Sequence, residues 1–333
     1  MPTRGPGRAT SFTYDAGMSL GPVVVLAGGV GAARFLRGLV RVVAPEEIVI
    51  IGNTGDDMWW HGLYIAPDLD TVTYWLAGVA DEVRGWGIRG DTFKAQAALA
   101  GLTEVSWFQL GDRDLATHLY RTGRLTAGVS LHAITAELAE RLGVRSRILP
   151  MSDAPIETRL KTDAGDLHFQ EYFVRERFRP AVHEIYWTGL DQAQPAPGIA
   201  EALSAARLVL IAPSNPSISI GPILRVPGMH ALLAAARSRT VAISPLIAGR
   251  AVKGPTVELM RAQGVRPDAL GVAGLYREIA AGFVIDTADA VLAPSIAELG
   301  YRIAVRPTAL DDGDSARQVA AAAVDLLRQP AAA

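Results

Sequence analysis

From Val23 to Leu39 the chain reads VVVLAGGVGAARFLRGL, in which a run of β-formers enters a glycine cluster and leaves it as an amphipathic helix. A strand, a tight turn and a helix in that order demand an α/β layer, and the turn presents bare backbone amides. Gly28, Gly29 and Gly31 let the main chain approach an oxygen-rich ligand, while the helix aims its unsatisfied N–H groups and partial positive charge at the same point. Phosphate is the usual occupant. The cluster is neither the full G-x-G-x-x-G of a dinucleotide fold nor, without a following Lys-Ser/Thr, a P-loop.

Beyond Gly21, short β-branched runs alternate with Ala- and Leu-rich helical segments, the pattern of a parallel sheet covered by helices. Strands are expected at Val23–Leu26, Ile48–Ile51, Arg147–Leu149, Leu208–Ile211, Val241–Ser244 and Arg302–Val305. Helices are expected near Ala32–Val42, Thr71–Ala80, Thr92–Ala100, Asp114–Gly123, Leu131–Leu142, Gly198–Ala206, Gly228–Ala236 and Pro255–Ala262. The expected fold is a Rossmann-like, mostly parallel sheet with helices on both faces and a largely helical insertion near residues 70–142. Leu167–Phe173 and Val182–Trp187 read as two extended, aromatic-bearing segments of an antiparallel edge or small lid. Residues 1–20 are rich in Gly, Pro, Ser and Thr and read as a flexible leader, with Met18 a candidate natural start. One α/β domain is expected over 21–326, with the alanine-rich C-terminal end, 327–333, as a frayed tail.

Charge and composition narrow the partners. The 32 basic and 34 acidic residues nearly cancel, so no broad basic field exists to hold a nucleic-acid backbone, and phosphate recognition must be local. Cysteine is absent, which removes thiolate chemistry and fits a cytoplasmic enzyme. Every apolar stretch is broken by Gly, Pro or charge, so no membrane span is expected.

The second strand runs into Gly52-Asn53-Thr54-Gly55 and then delivers Asp56 and Asp57 at the end where open parallel sheets keep their ligands. Two carboxylates beside a phosphate loop suit Mg²⁺ or hydroxyl activation, and one in a dinucleotide fold would hold a ribose; the plainer role is helix capping. Pro67-Asp68-Leu69-Asp70-Thr71 precedes a helix, so Asp70 or Thr71 can cap it, leaving Asp68 as a candidate ligand. The turn Gly87-Ile88-Arg89-Gly90-Asp91-Thr92 offers Arg89 to an anion and Asp91 as a cap. Carboxylates gathered in this way repel one another unless a cation or a hydroxyl-rich ligand lies between them. Trp59, Trp60, Tyr64, Tyr74, Trp75 and Trp86 crowd the same stretch, as core or as a slot for a flat ring. Further on, Ser214, Asn215, Ser217 and Ser219 follow one strand, and Ser244 with Lys253 follow the next. Turns of this composition at successive strand ends suggest a nucleotide cleft. The six histidines show no metal-ligand spacing, and no G-x-S-x-G elbow is present.

The ordered blocks LAGGVGAARFLRGL, NTGDD, HGLYIAPDLDT, GWGIRGDTF, LGDRDLATHLYR, LPMSD, LHFQEYFVR, APSNPSISIGPIL, SPLIAG, AVKGP and FVID resemble the 2-phospho-L-lactate transferases of coenzyme F420 biosynthesis, called phosphoenolpyruvate transferases in mycobacteria. The resemblance implies transfer of a 2-phospholactate or phosphoenolpyruvate moiety from a guanylyl diphosphate donor to the ribityl hydroxyl of the deazaflavin Fo, releasing GMP, with Mg²⁺ as cofactor. It implies metal or acceptor contacts at Asp56 and Asp57, acceptor contact at Arg89 within an Fo site spanning Asp70, Thr71, Asp91 and Thr92, and guanine-nucleotide contacts at Ser214, Asn215 and neighbouring amides. A homodimer is expected. Two other readings are a non-catalytic, nucleotide-sugar-binding regulator of the same fold and an NAD-dependent oxidoreductase, the latter resting on the first strand-glycine-helix unit alone.

Overall fold

The computed structural model describes residues 21–328; the leader, Met18 and residues 329–333 lie outside the described residues. Seven strands form one parallel sheet: β1 (Val23–Ala27), β2 (Ile48–Gly52), β3 (Arg147–Pro150), β4 (Leu208–Ile211), β5 (Thr240–Ile243), β6 (Gly282–Ile285) and β7 (Arg302–Val305). Their spatial order is β3-β2-β1-β4-β5-β6-β7. β1 lies inside the sheet, with Val23 in register with Ile48 on one side and Leu208 on the other.

Alternation along each strand supplies two cores. Val24 and Leu26 of β1, Val49 and Ile51 of β2, and Val209 and Ile211 of β4 face one apolar cluster; Val23, Val25, Ile48, Ile50, Leu208 and Leu210 face the other. With both faces covered, the strands read as continuous apolar runs rather than as alternating ones. The first cluster is closed by the helices Ile199–Ala205, Met229–Ala235 and Ala269–Tyr276. The second is closed by α1 (Gly29–Leu39), α2 (Pro67–Leu76) and the helix Gly313–Asp325.

The strand β6 lies outside the expected set, because it is only four residues long and begins with glycine; burial between β5 and β7 makes it a strand. The helix Gly313–Asp325 was not expected either. Asp312 starts it with a reciprocal capping box to Ser315, and its buried alanines let it lie close against α1. At their crossing, a Cβ on Gly38 would stand 2.2 Å from the Ala316 carbonyl carbon. Glycine at 38 is a packing requirement.

Two excursions leave the sheet. Between β2 and β3 come the hairpin Met58–Trp60/Leu63–Ile65, α2 and the helices Lys94–Ala100, Asp114–Thr126 and Leu131–Arg141. After β3, the strands Glu157–Thr162, Gly165–His168 and Val182–Thr188 form a separate antiparallel sheet with Glu157–Thr162 in the middle. The extended segment expected over Leu167–Phe173 stops at His168. The Glu171 carboxylate accepts the His168 N–H at 2.9 Å, and a π-helical turn over Glu171–Arg175 follows. That turn brings Phe169 and Phe173 into a stack, ring centroids 5.5 Å apart.

Candidate functional site

The connections from β1 and β4, which are neighbours in the sheet, diverge, and a crevice opens beyond their carboxyl ends as the topology of a doubly wound sheet requires. It holds a cavity of about 510 Å³. Gly28, Gly29 and Gly31 form one wall, Ser214, Asn215 and Ser219 another, and Ser244 and Lys253 the rim beyond. Close packing dictates the glycines. A Cβ on Gly28 would stand 2.7 Å from Asp68 Oδ2, one on Gly31 would stand 2.5 Å from the Pro213 carbonyl oxygen, and Gly29 has a left-handed φ of 69°. The N-cap of α1, Gly28, has no side chain to cap it, and the helix N-terminus opens on the cavity with the Gly29 amide turned to Asp68.

Beside the turn lies a group of buried carboxylates. Asn53, at the end of β2, donates through one amide nitrogen to Asp56 Oδ1 at 2.6 Å and to Asp68 Oδ2 at 2.9 Å. The same nitrogen reaches the Ile218 carbonyl at 3.2 Å, which ties this pair to the loop after β4. Both aspartates line the cavity. Burial pushes the Asp56 carboxyl well above the usual carboxylate range, and the Asp68 charge adds to the shift against the opposing Asn53 bond. Burial likewise raises Asp68 to about 6, although Asn53 and the Gly29 amide both donate to it.

Asp57 points away from the cavity. Tyr64 donates to its Oδ2 at 3.0 Å, while its Oδ1 is buried without a hydrogen-bond partner. Burial raises its carboxyl and the nearby Arg121 opposes that shift. Deeper still, the fully buried Arg121 guanidinium grips Asp70 with two nitrogens, one of them at 3.0 Å from Oδ2. Tyr74 donates to Asp114 at 2.7 Å, and His118 lies between Asp114, at 3.3 Å, and Asp70, at 3.7 Å.

Among the described residues no three His, Cys, Asp or Glu side chains converge as a ready-made cation cage. Magnesium does not need one, because it is held by one or two carboxylates and completes its shell with substrate phosphates and water. Asp56 and Asp68, both cavity-facing and without a cationic partner of their own, fit that role.

The structure distributes the remaining candidates unevenly. Asp70 and Thr71 line the cavity, but the Asp70 carboxylate is committed to Arg121. Arg89, Asp91 and Thr92 lie outside the lining: Arg89 donates to the Gly78 carbonyl, Asp91 accepts from the Arg113 and Asp114 amides, and Thr92 bonds to Asp112. The Ser-Asn loop is itself braced. Ser214 donates to the Gly28 carbonyl at 2.8 Å, Asn215 accepts from the Ser217 and Ile218 amides and donates to Thr256 at 3.1 Å, and Ser217 bonds to Gln263 at 2.6 Å. Ser244 donates to the Leu246 carbonyl. Of the aromatic residues singled out above, Tyr74 and Trp86 reach the cavity, whereas Trp59 is 59 % exposed and Trp75 packs on Ala33. The aromatic wall comes instead from Trp107, Phe108, Phe169 and Phe173. Trp107 and Phe108 come from a loop that carries no sequence signal, whereas Phe169 and Phe173 fall in the aromatic-bearing segment read as an edge or small lid, without a place in the site.

A family model described as 2-phospho-L-lactate transferase CofD matches residues 23–324. The chain is 42% identical over 314 residues to a phosphoenolpyruvate transferase of Kitasatospora aureofaciens, covering 92% of this chain and 98% of that protein. It is 37% identical over 304 residues to a 2-phospho-L-lactate transferase of Methanosarcina acetivorans, covering 91% and 98%. A solved structure of the Bacillus halodurans protein BH3568 superposes with a TM-score of 0.60 at 18% identity, covering 91% of this chain and 99% of that one, and shares the fold. No single helix among the described residues is long and apolar enough to cross a membrane.

Proposed function

The chain belongs to the CofD family of 2-phospho-L-lactate transferases, and from that premise we propose that it moves a phospholactyl or phosphoenolpyruvyl group from a guanylyl diphosphate to the hydroxyl of Fo. The observation that carries this reading is the Asp56–Asp68 pair standing beside an anion-binding glycine turn in one aromatic-walled cavity.

In this reading the amides at the start of α1 receive a phosphate of the donor. The aromatic wall takes the deazaflavin ring and leaves its hydroxyl chain facing the carboxylates. Asp56 and Asp68 would hold Mg²⁺, which when bound offsets the charge of the diphosphate. The Fo hydroxyl oxygen attacks the phosphorus that bears the acid ester, a new O–P bond forms in line, and the P–O bond to GMP breaks with the electron pair leaving on GMP. The hydroxyl proton passes to the Asp56 oxygen that Asn53 does not engage. No covalent phosphoenzyme is needed.

The test is direct. Purified protein is incubated with Fo, Mg²⁺ and the lactyl, enolpyruvyl or glyceryl diphosphoguanosine in turn, and the products are weighed by mass spectrometry. The reading requires GMP and an Fo phosphodiester in equal amounts from at least one donor; release of neither from any donor overturns it.

A further inference from the structure

The glycine turn has two unlike flanks. On one stand the carboxylates, with Asp68 Oδ1 3.6 Å from the point a Cβ on Gly29 would occupy. On the other stand two cations, Arg34 and Lys253, both lining the cavity. Arg34 lies four residues after Val30 on α1, so the two side chains share one face of that helix. The Lys253 ammonium is 3.1 Å from the point where a Cβ on Gly85 would stand, and the Val30 side chain is 3.3 Å from that same point. The rim loop carrying Lys253 therefore sets its charge beside the turn, where it donates one hydrogen bond to the Arg84 carbonyl at 3.2 Å. Among the described residues neither cation has a carboxylate partner within ion-pair distance. Partial desolvation, with the like charge of Arg34 second, holds the Lys253 ammonium below its usual range. Two facing cations with spare donors make a receptor for an anion.

The donor named above carries two kinds of anion. Its phosphates suit the amides at the helix start, which point along the axis of α1. Arg34 lies further along the helix and to its side, by roughly one turn of 5.4 Å, away from those amides. In a lactyl or enolpyruvyl ester the carbon bearing the ester oxygen also bears the carboxylate, so the two anionic groups must be held side by side. A guanidinium fork matches a carboxylate with two parallel hydrogen bonds, and an ammonium adds a point charge.

We infer that Arg34 and Lys253 read the carboxylate of the transferred acid and make this corner the determinant of donor specificity, an inference that rests on the transferase reading above. It is tested with the full chain and two donors that share a leaving group: enolpyruvyl-diphosphoguanosine and ethyl-diphosphoguanosine, which lacks the carboxylate. Wild type is expected to favour the carboxylate donor in kcat/KM by about 100-fold, and Arg34→Gln or Lys253→Gln to shrink that ratio at least about ten-fold, given the strength of charge-assisted pairs. The Kd of each variant for GDP, measured by calorimetry, should stay within about two-fold of wild type, because the diphosphate is held elsewhere. If both donors slow equally and GDP binding weakens with them, the pair holds the diphosphate and the inference falls. An active wild type whose donor ratio survives both substitutions overturns this assignment alone. A wild type that transfers from neither of these donors, nor from the lactyl or glyceryl diphosphoguanosine, overturns the transferase reading with it.

Discussion

The inner carboxylates, Asp70 and Asp114, and the carboxylates beside the glycine turn, Asp56 and Asp68, all line the cavity, come from the same part of the chain and meet opposite electrostatic fates. Asp70 is gripped by the buried Arg121, and Asp114 takes a hydrogen bond from Tyr74 with His118 alongside, so the inner region balances its own charge. Its effect on Asp114 is to hold that carboxyl below the usual range, the bonds from His118 and Tyr74 outweighing burial, which is the largest single influence and acts upward. Beside the glycine turn, Asp56 and Asp68 share a single amide nitrogen and no cation, and both carboxyls are pushed up. Proximity of acids is thus a poor guide to a site. The informative quantity is the charge that the protein leaves uncompensated.

Asp56→Asn and Asp68→Asn give the largest contrast. Each keeps the shape and removes the charge, so transfer should fall by about 10³-fold or more, the scale of losing a group that stabilises transition-state charge. Thermal melting in chelator should hold steady or rise, because the like-charge repulsion is gone; a parallel loss of stability and activity would make the pair structural. Arg121→Met attacks the balanced region instead. It strands Asp70 as a buried charge, and the expected cost is about 3–5 kcal/mol in urea unfolding. Arg121→Met combined with Asp70→Leu should recover part of that cost. An unchanged midpoint in the single variant would show that the inner region does not depend on its ion pair.

The same contrast explains what could be read from the sequence. The glycine turn, Asp56 and the candidate Asp68 were legible because each sits within a few residues of a strand or helix end, where local rules apply. The family resemblance, resting on ordered blocks, agrees with the matched model over residues 23–324. Arg121 was not legible: it is one arginine on an amphipathic helix, and its partner Asp70 lies 51 residues earlier. His118 was set aside with the other scattered histidines, although the fold places it between two carboxylates. Phe169 and Phe173 reach the cavity only because a strand ends early in a π-helical turn. The serine and asparagine side chains after β4 have the composition of a ligand loop, yet their bonds are largely spent on the loop and the glycine turn.

A pH series sharpens the comparison at a smaller scale. Asp68 titrates in the folded protein at about 6 instead of 3.8, so the native state keeps a proton that the unfolded chain has released. Stability from this group is therefore greatest at low pH and declines as pH rises across about 4 to 6. In chelator, Asp68→Asn should gain on wild type through that window by on the order of 1–3 kcal/mol, discounted for the coupling to Asp56. A stability difference that stays flat across the window would mean that Asp68 is already ionised without penalty.

The smallest effect is expected at Arg89, an exposed side chain that donates to the Gly78 carbonyl and lies outside the cavity lining. Arg89→Ala should change unfolding stability by no more than about 0.5 kcal/mol, as for an exposed residue free of buried partners. Its kinetic effect is the sharper measurement, because the family resemblance assigns Arg89 to the acceptor and the observed loop keeps it away. If the loop stays where it stands, KM for Fo changes little. If KM for Fo rises about ten-fold with kcat preserved, uniform binding has been lost and the loop must swing Arg89 onto the acceptor during turnover. The contrast between the carboxylate groups would then extend to cations, since a surface arginine outside the cavity would join the site while the buried Arg121 remained structural.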